Sequence, residues 1–243
     1  MSALAHIIES LGVATVVISL IRPHTEKVQP PRALWVPFQL GRPLGSPGEP
    51  DFQARVLRQA LDLLERRDGP VILDDFADDE PRAADDPAWM PPFESAAAAG
   101  PEGAALIEEL ARMRPFYDRA VSVRGRSTVG LSGLDLPQAV DFLASCLAAF
   151  PASSPAPSLT PGLALRFVAD DLKAAWTEAA SLQGKPSSGQ LGDWLWQRTA
   201  LGRALLGLRE RALASENAQF KAVGGTLLVP GARIALMEAA KAS

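Results

Sequence analysis

The sequence predicts an α/β unit at the amino end of the chain, followed by a mostly α-helical region. Two short apolar runs, at 13–20 and 32–37, alternate with helical patterns, which is the order of a parallel α/β unit. An acidic, proline-containing stretch over 74–99 then interrupts the pattern. Over 100–243 apolar residues recur mainly at helical spacing, so this part is predicted to be a helical domain.

The α/β segment is predicted over residues 1–73. A helical pattern over 3–9 precedes the β-branched run 13–20, and an amphipathic helix is predicted over about 52–66, after the second apolar run. Helix, strand, crossover, strand and helix follow one another in this segment, so short parallel strands covered by helices are expected.

The acidic stretch over 74–99 is interpreted as a linker, because like charges repel one another and no apolar period is present. Its carboxylates are Asp74, Asp75, Asp78, Asp79, Glu80, Asp85 and Asp86, followed by Pro91 and Pro92. The alternative is capture of magnesium or calcium by these oxygen ligands, although their spacing matches no calcium loop.

The helical domain over 100–243 has recognisable starts and stops. Asp135 followed by Pro137 is a favourable helix start, and Ser187 and Ser188 are candidate caps. Residues 226–229 are predicted as either a short strand or a helix end. Helices are predicted over about 102–115, 116–121, 135–150, 163–180 and 188–214.

Composition excludes several classes of protein. The net charge is −4 and the sequence pI is about 5.3, and no basic stripe is present, so nucleic acid and membrane surfaces are not expected partners. Cys146 is the single cysteine, which excludes an intrachain disulfide and a cysteine-built metal cluster. No basic leader with a cleavage pattern opens the chain, and the apolar run near residues 11–21 is too short to span a bilayer, so a cytoplasmic location is expected.

Three pieces of the first segment resemble a known family. They are Gly12-Val-Ala-Thr-Val-Val-Ile-Ser19, the turn Leu40-Gly-Arg-Pro43, and the helix Phe52-Gln-Ala-Arg-Val-Leu-Arg-Gln-Ala-Leu-Asp-Leu-Leu64. In this order they resemble the selenoprotein B family of the glycine, sarcosine and betaine reductases, which includes a D-proline reductase subunit. The resemblance spans residues 10–66, about a quarter of the chain, and implies an oxidoreductase that cleaves a carbon–nitrogen bond through a thiolate or selenolate.

The chain departs from this family at the redox motif. In the family a selenocysteine or cysteine motif lies just before the strand, whereas this chain begins about ten residues before it, so the motif is expected to be absent. Cys146 lies in the apolar run Asp141-Phe-Leu-Ala-Ser-Cys-Leu-Ala-Ala-Phe150, where burial raises a thiol pKa. A structural role is therefore predicted for Cys146.

The resemblance leaves several functions open. The leading hypothesis is a subunit of a reductase complex, which completes the fold or the substrate pocket beside a chain with a redox-active Cys or Sec. The alternatives are a family relative that has lost or changed its chemistry, a non-catalytic binding or assembly protein, and a stand-alone enzyme that uses arginine and histidine without a thiol. No pattern identifies a cofactor, which stays unknown, and no metal ligands are assigned.

Candidate site residues lie near the ends of the two predicted strands. His24 follows the first strand and is a candidate proton donor or anion contact, or else a loop histidine. Arg22, Arg32 and Arg42 are candidate ligands for a small carboxylate substrate, because guanidinium groups bind carboxylates with two hydrogen bonds.

Trp194 and Trp196 are candidates for a partner interface. They are two positions apart, so they face different sides of a helix, and one could pack in the core while the other meets a partner. Simple core packing is the alternative. Asp170, Asp171 and Asp193 near these tryptophans could form a carboxylate patch, but nothing in their pattern makes it a metal site.

Overall fold

The computed structural model describes residues 2–38, 41–78, 85–93 and 102–242. The chain divides into two compact units, Met1–Ala84 and Asp85–Ser243, which are called here the α/β unit and the helical unit. The predicted fold class is confirmed, because a small parallel sheet with helices is followed by helices in the described part of the chain.

The α/β unit contains three short parallel strands in the order β1-β2-β3. This consecutive order contains no reversal of the kind that forms the ligand crevice of doubly wound sheets. The elements in chain order are α1 (Ser2–Ser10), β1 (Val17–Ser19), α2 (Arg22–Val28), β2 (Arg32–Trp35), α3 (Pro50–Asp62) and β3 (Ile72–Asp75).

The strand β3 was not predicted. It includes Asp74 and Asp75, which the sequence analysis placed at the start of the linker because of the charge crowded there. Pairing with β2 and burial of Ile72 to 4% exposure hold the strand in place. Of the predicted linker, 79–84 and 94–99 lie outside the described residues.

The core of the α/β unit holds α3 against one face of the sheet. Leu34 of β2 and Val36, which follows it, belong to one apolar cluster with Val56 of α3. On the opposite face lies α2, and there the guanidinium of Arg22 is 5.9 Å from the ring centroid of Trp35. Three aromatic rings close this core, with centroids 5.4–5.7 Å apart: Phe38, Phe52 and Phe76. Such edge-to-face packing fixes the start of α3 beside the carboxyl ends of β2 and β3.

The helical unit surrounds the long helix α6, which packs against α4, α5, α7 and α9. Leu165, Leu172 and Trp176 of α6 are fully buried. The helices are α4 (Glu102–Arg124), α5 (Leu136–Ala148), α6 (Pro161–Ala180), α7 (Ser188–Arg198), α8 (Ala200–Ala214), α9 (Ala218–Thr226) and α10 (Gly231–Ala242).

Two predicted helix boundaries are wrong. The helix expected to stop near Pro115 continues as α4 to Arg124. Proline has no N–H, so the carbonyl of Ala111, four residues earlier, loses its helical partner. Because Ala111 and Pro115 are both exposed, this carbonyl can accept a hydrogen bond from water. Met113 and Ala120 are fully buried on either side of the proline, and their packing holds the helix together.

The helix predicted over 188–214 is two helices, because Thr199 has an extended backbone (φ −118°, ψ 153°). Its hydroxyl accepts the Gly202 amide at 2.9 Å and caps α8. A Cβ at Gly202 would lie 2.1 Å from the Leu195 carbonyl oxygen, so the close turn between α7 and α8 requires glycine there.

Other local predictions are confirmed. Asp135 and Ser187 cap α5 and α7, and each forms a capping box with the glutamine three residues later. Residues 226–229 form the end of α9 and the turn after it rather than a strand. Within the described ranges, the helices are all too short or too polar to cross a membrane.

Candidate functional site

The carboxyl ends of the three parallel strands form the candidate site. Ser19, Trp35 and Asp75, the last residues of β1, β2 and β3, are paired in one row across the sheet. The loops and helix starts that follow them lie at the same edge, which is where open parallel sheets bind ligands. This edge is called the carboxyl edge below.

Arg22 crosses the carboxyl edge from β1 to β3. Its Nε and Nη2 each donate a hydrogen bond to the Asp75 carboxylate at 3.2 Å, and its Nη1 donates to Glu26. The side chains of Arg22, Asp75 and Glu26 are 39%, 47% and 49% exposed. The arginine predicted to bind a substrate carboxylate therefore holds a carboxylate of its own chain in a two-bond fork, at a solvent-accessible position.

The middle and later part of α3 supply side chains to this edge that the sequence analysis missed. Arg55 pairs with Asp78 at 3.0 Å, and Gln59 donates to the Asp75 carbonyl at 3.3 Å. The available signal was the short apolar stretch Val71-Ile-Leu73 before Asp74 and Asp75: once residues 72–75 are read as a parallel strand, Asp75 must lie at the same edge as Arg22.

Arg32 does not join Arg22, which corrects the prediction that it helps to bind the substrate. It begins β2 and therefore lies at the opposite, amino edge of the sheet, where it pairs with Glu9 at 2.7 Å. Thr15 donates its amide and hydroxyl to the same carboxylate at 2.8 and 3.0 Å. Burial would raise the pKa of Glu9, but the bonds from Thr15 and Arg32 outweigh it and the pKa is lowered.

His24 and Arg42 occupy separate positions near the carboxyl edge. His24 is exposed in the first turn of α2, and Arg42 is half-buried in the glycine-rich turn 41–48 before α3. The other histidine, His6, lies on α1 with its Nε2 3.1 Å from the Val28 carbonyl oxygen. Of the predicted residues, the structure thus brings Arg22 and His24 onto one helix.

Cys146 is fully buried in the core of the helical unit. Burial raises the pKa of its thiol to about 12, so the reactive thiolate is scarce at neutral pH. This agrees with the structural role predicted from the sequence.

We expect the thiol of Cys146 to be unreactive in the folded protein. A chromogenic disulfide reagent at about pH 8 should release no product from the native chain and one equivalent after denaturation. Rapid stoichiometric reaction of the native protein would contradict the burial described above.

Trp194 and Trp196 are both buried, at 1% and 7% exposure, so neither is left open for a partner as the sequence analysis considered. The Trp194 ring packs edge-on against Phe93 with centroids 5.4 Å apart, and its Nε1 donates to the Phe93 carbonyl at 3.3 Å. Residues 85–93 cover this side of the unit, with Trp89 donating to the Ala180 carbonyl at 3.4 Å. Both tryptophans therefore belong to the core.

The carboxylate patch considered near the tryptophans is not formed. Asp170 pairs with Lys173 at 2.9 Å and Asp193 with Arg233 at 2.9 Å. Asp171, at 1% exposure, accepts hydrogen bonds from the backbone amides of residues 130–132 and from the hydroxyl of Ser132. Among the described residues, the acidic and imidazole side chains include no group that could hold a metal ion.

Two more buried carboxylates tie elements of the helical unit together. Glu109 accepts the Trp176 indole at 2.8 Å and the Ala200 and Leu201 amides at 2.6 and 3.1 Å. Glu178 accepts the Thr128 amide at 2.8 Å and two hydroxyls. These carboxylates are saturated by donors of the chain, so they are structural groups rather than a catalytic acid–base pair.

Glu178 gives the helical unit a predicted dependence on pH. Burial would raise the pKa of Glu178, but the hydrogen bonds from Thr128 and Ser127 outweigh it and the pKa is lowered. A lowered folded-state pKa adds stability that is present above about pH 5 and is lost as the pH falls below about 4. The stability difference between wild type and Glu178→Gln should therefore shrink on acidification, measured by urea unfolding at a series of pH values. A constant difference across the series would contradict this.

Comparison with known protein families, curated proteins and solved structures finds no match to this chain. The resemblance to the selenoprotein B reductases therefore stays a prediction that rests on the residues quoted for it.

Proposed function

We propose that this chain is the component of a reductase-like complex that lacks a reactive thiol. In this proposal its α/β unit lies beside a partner chain that carries a redox-active Cys or Sec. The burial of Cys146, the single thiol of the sequence, carries the proposal. Reductive chemistry of this kind needs a low-pKa thiolate or selenolate, which this chain does not offer and another chain must supply.

The carboxyl edge is the proposed contribution of this chain to a shared substrate pocket. Arg22 already binds a carboxylate through two parallel hydrogen bonds, which is the geometry in which arginine recognises an external carboxylate. Because its pairs are about half exposed, solvent screens them and opening them costs little. A small carboxylate substrate would replace Asp75 on Arg22, while His24, two positions further along α2, faces a different side of the helix.

The proposal also includes a cellular location and two classes of partner that are excluded. A cytoplasmic location, which keeps thiols and selenols reduced, and the absence of nucleic acid and membrane partners are parts of the proposal. The net charge of −4 without a basic stripe favours both exclusions.

A non-catalytic assembly protein is the second candidate. One observation favours it: the guanidinium of Arg22 already has two carboxylate partners within its own chain, Asp75 and Glu26. In this alternative the charged carboxyl edge meets a protein surface and no substrate binds.

A native pull-down of the tagged protein from its own host, with mass spectrometry, tests the proposal. We expect a stoichiometric partner with a Cys- or Sec-containing redox motif. Recovery of a stoichiometric partner without such a motif would favour the assembly protein, and recovery of this chain alone would contradict both.

Variants locate the proposed contact. Arg22→Ala should lower carboxylate turnover by the recovered complex, mainly by raising KM. Arg58→Ala, a substitution at an exposed position of α3, is the control and should leave turnover unchanged. Turnover by the isolated chain that is lost in His24→Ala but kept in Cys146→Ala would instead support the stand-alone enzyme.

A further inference from the structure

The outer edge of β1 is open and unprotected. In the part of the chain that the structure describes, β1 pairs only with β2. The run 13–20 around it contains no charged residue and no proline, the residue types that usually keep an exposed strand edge from pairing, although β1 itself is short, at three residues. The other edge strand, β3, is protected, because Asp74 and Asp75 lie on it and Pro70 precedes it.

An apolar stripe on α1 continues this open edge. Leu4, Ile7 and Leu11 are 46%, 60% and 77% exposed, and Val13 is 57% exposed. Leu4, Ile7 and Leu11 are spaced three and four residues apart, so they lie on one side of α1 and of the turn that ends it. Between α1 and β1 lies a groove of about 210 Å³, lined by Leu4, Ala5, Ile8, Thr15, Val16, Val17 and Ile18.

The surface formed by this edge and stripe is free of unpaired charge. Glu9 is the one charged residue of α1, and its carboxylate is bound by Arg32 and by Thr15. His6 is held at the Val28 carbonyl, away from the stripe by helical spacing. Two such surfaces can therefore meet without repulsion between like charges.

We infer that this surface is a dimer interface, in which β1 pairs antiparallel with β1 of a second copy and the two α1 stripes pack together. A two-fold axis reverses the strand direction, so pairing of like edges is antiparallel. Each copy has one unprotected edge, and pairing of β1 with β1 uses both of them. The assembly therefore closes at two copies with a continuous six-stranded sheet, whereas pairing of β1 with β3 would propagate into a fibre.

This inference does not rest on the proposed function. The dimer interface lies along the side of the sheet and on α1, while the carboxyl edge lies at the ends of the strands and remains open to a different chain. A complex of two copies of each chain is compatible with both proposals.

The oligomeric state of the purified protein gives the first test. Sedimentation should show twice the 25.8 kDa of one chain. Ile7→Asp and Leu11→Asp, at exposed positions that a charge does not unfold, should weaken dimerisation at least about 100-fold. Ile107→Asp in the helical unit, at a similar 52% exposure, is the control and should remain dimeric. A wild-type monomer, or a dimer that both α1 variants retain, would overturn the inference.

Cross-linking tests the pairing itself. Single cysteines placed one at a time over 15–19, in a Cys146→Ala background, should be linked between copies by a short bifunctional thiol reagent, most efficiently at the position nearest the two-fold axis. Directly opposed residues of antiparallel strands have Cα atoms about 4.5–5.5 Å apart, within reach of such a link. Leu73→Cys on β3 should not be linked. Linkage at position 73 and none over 15–19 would show that the wrong edge has been assigned.

Discussion

Replacing Glu109 with alanine is expected to lower the unfolding free energy of the helical unit by about 3–4 kcal/mol. The side chain is buried at 3% exposure and accepts the Trp176 indole and the Ala200 and Leu201 amides. Truncation leaves three buried donors without an acceptor and removes the negative charge that stabilises the amino end of α8.

The neighbouring glutamate provides a matched control for Glu109. Glu108 on the same turn of α4 has a side chain that is 64% exposed and pairs with Arg112, so Glu108→Ala should cost less than about 0.5 kcal/mol. Glu109→Gln, which keeps one acceptor oxygen, should lie between the two. Urea unfolding followed by tryptophan fluorescence mainly reports this unit, because four of the five tryptophans lie in it (Trp89, Trp176, Trp194 and Trp196) and Trp35 alone lies in the α/β unit. Equal losses for Glu108→Ala and Glu109→Ala would contradict the proposed role of Glu109.

Asp171→Ala is expected to cost about 2–3 kcal/mol and to release the loop between α4 and α5. The Asp171 carboxylate accepts the amides of Gly130, Leu131 and Ser132 at 2.8–2.9 Å and the Ser132 hydroxyl at 2.6 Å. Without it these donors must find water, and the loop loses the bonds that tie it to α6.

Hydrogen exchange distinguishes this local release from general destabilisation. The amides of 130–132 should lose most of their protection in Asp171→Ala, while amides in the middle of α6 change only with the global stability. Asp170→Ala is the control, since Asp170 is 31% exposed and pairs with Lys173 and Arg166. Protected loop amides in the Asp171 variant would show that other contacts hold the loop.

Features with local signals could be predicted from the sequence. The caps at Asp135 and Ser187 were predicted because a capping residue acts within its own turn. The strand–helix order of the α/β unit was predicted because periodicity is also local. The break at Thr199 was missed although Thr199 is itself a capping residue of α8; the second acceptor at this helix start, Glu109, lies 91 positions before Ala200 and leaves no mark in the local pattern.

The candidate site was predicted in part for the same reason. Arg22 and His24 follow a recognisable strand, so their position at its carboxyl end could be predicted. The partner of Arg22 is Asp75, 53 positions later, at the end of a strand too short and too acidic to be recognised. Arg32 was misplaced although it opens the predicted run 32–37, because the first residue of a parallel strand lies at the amino end of the sheet, opposite the end at which Arg22 follows β1.

Differential alkylation of the native assembly isolated from the host tests the proposed function most directly. Under reducing conditions, a reagent for thiols and selenols should label a co-purified chain and leave Cys146 of this chain unlabelled, and the labelling should abolish the reductive activity of the complex. Activity that survives labelling of every accessible thiol and selenol, or that resides in this chain alone, would contradict the proposal that the reactive chalcogen is supplied by a partner.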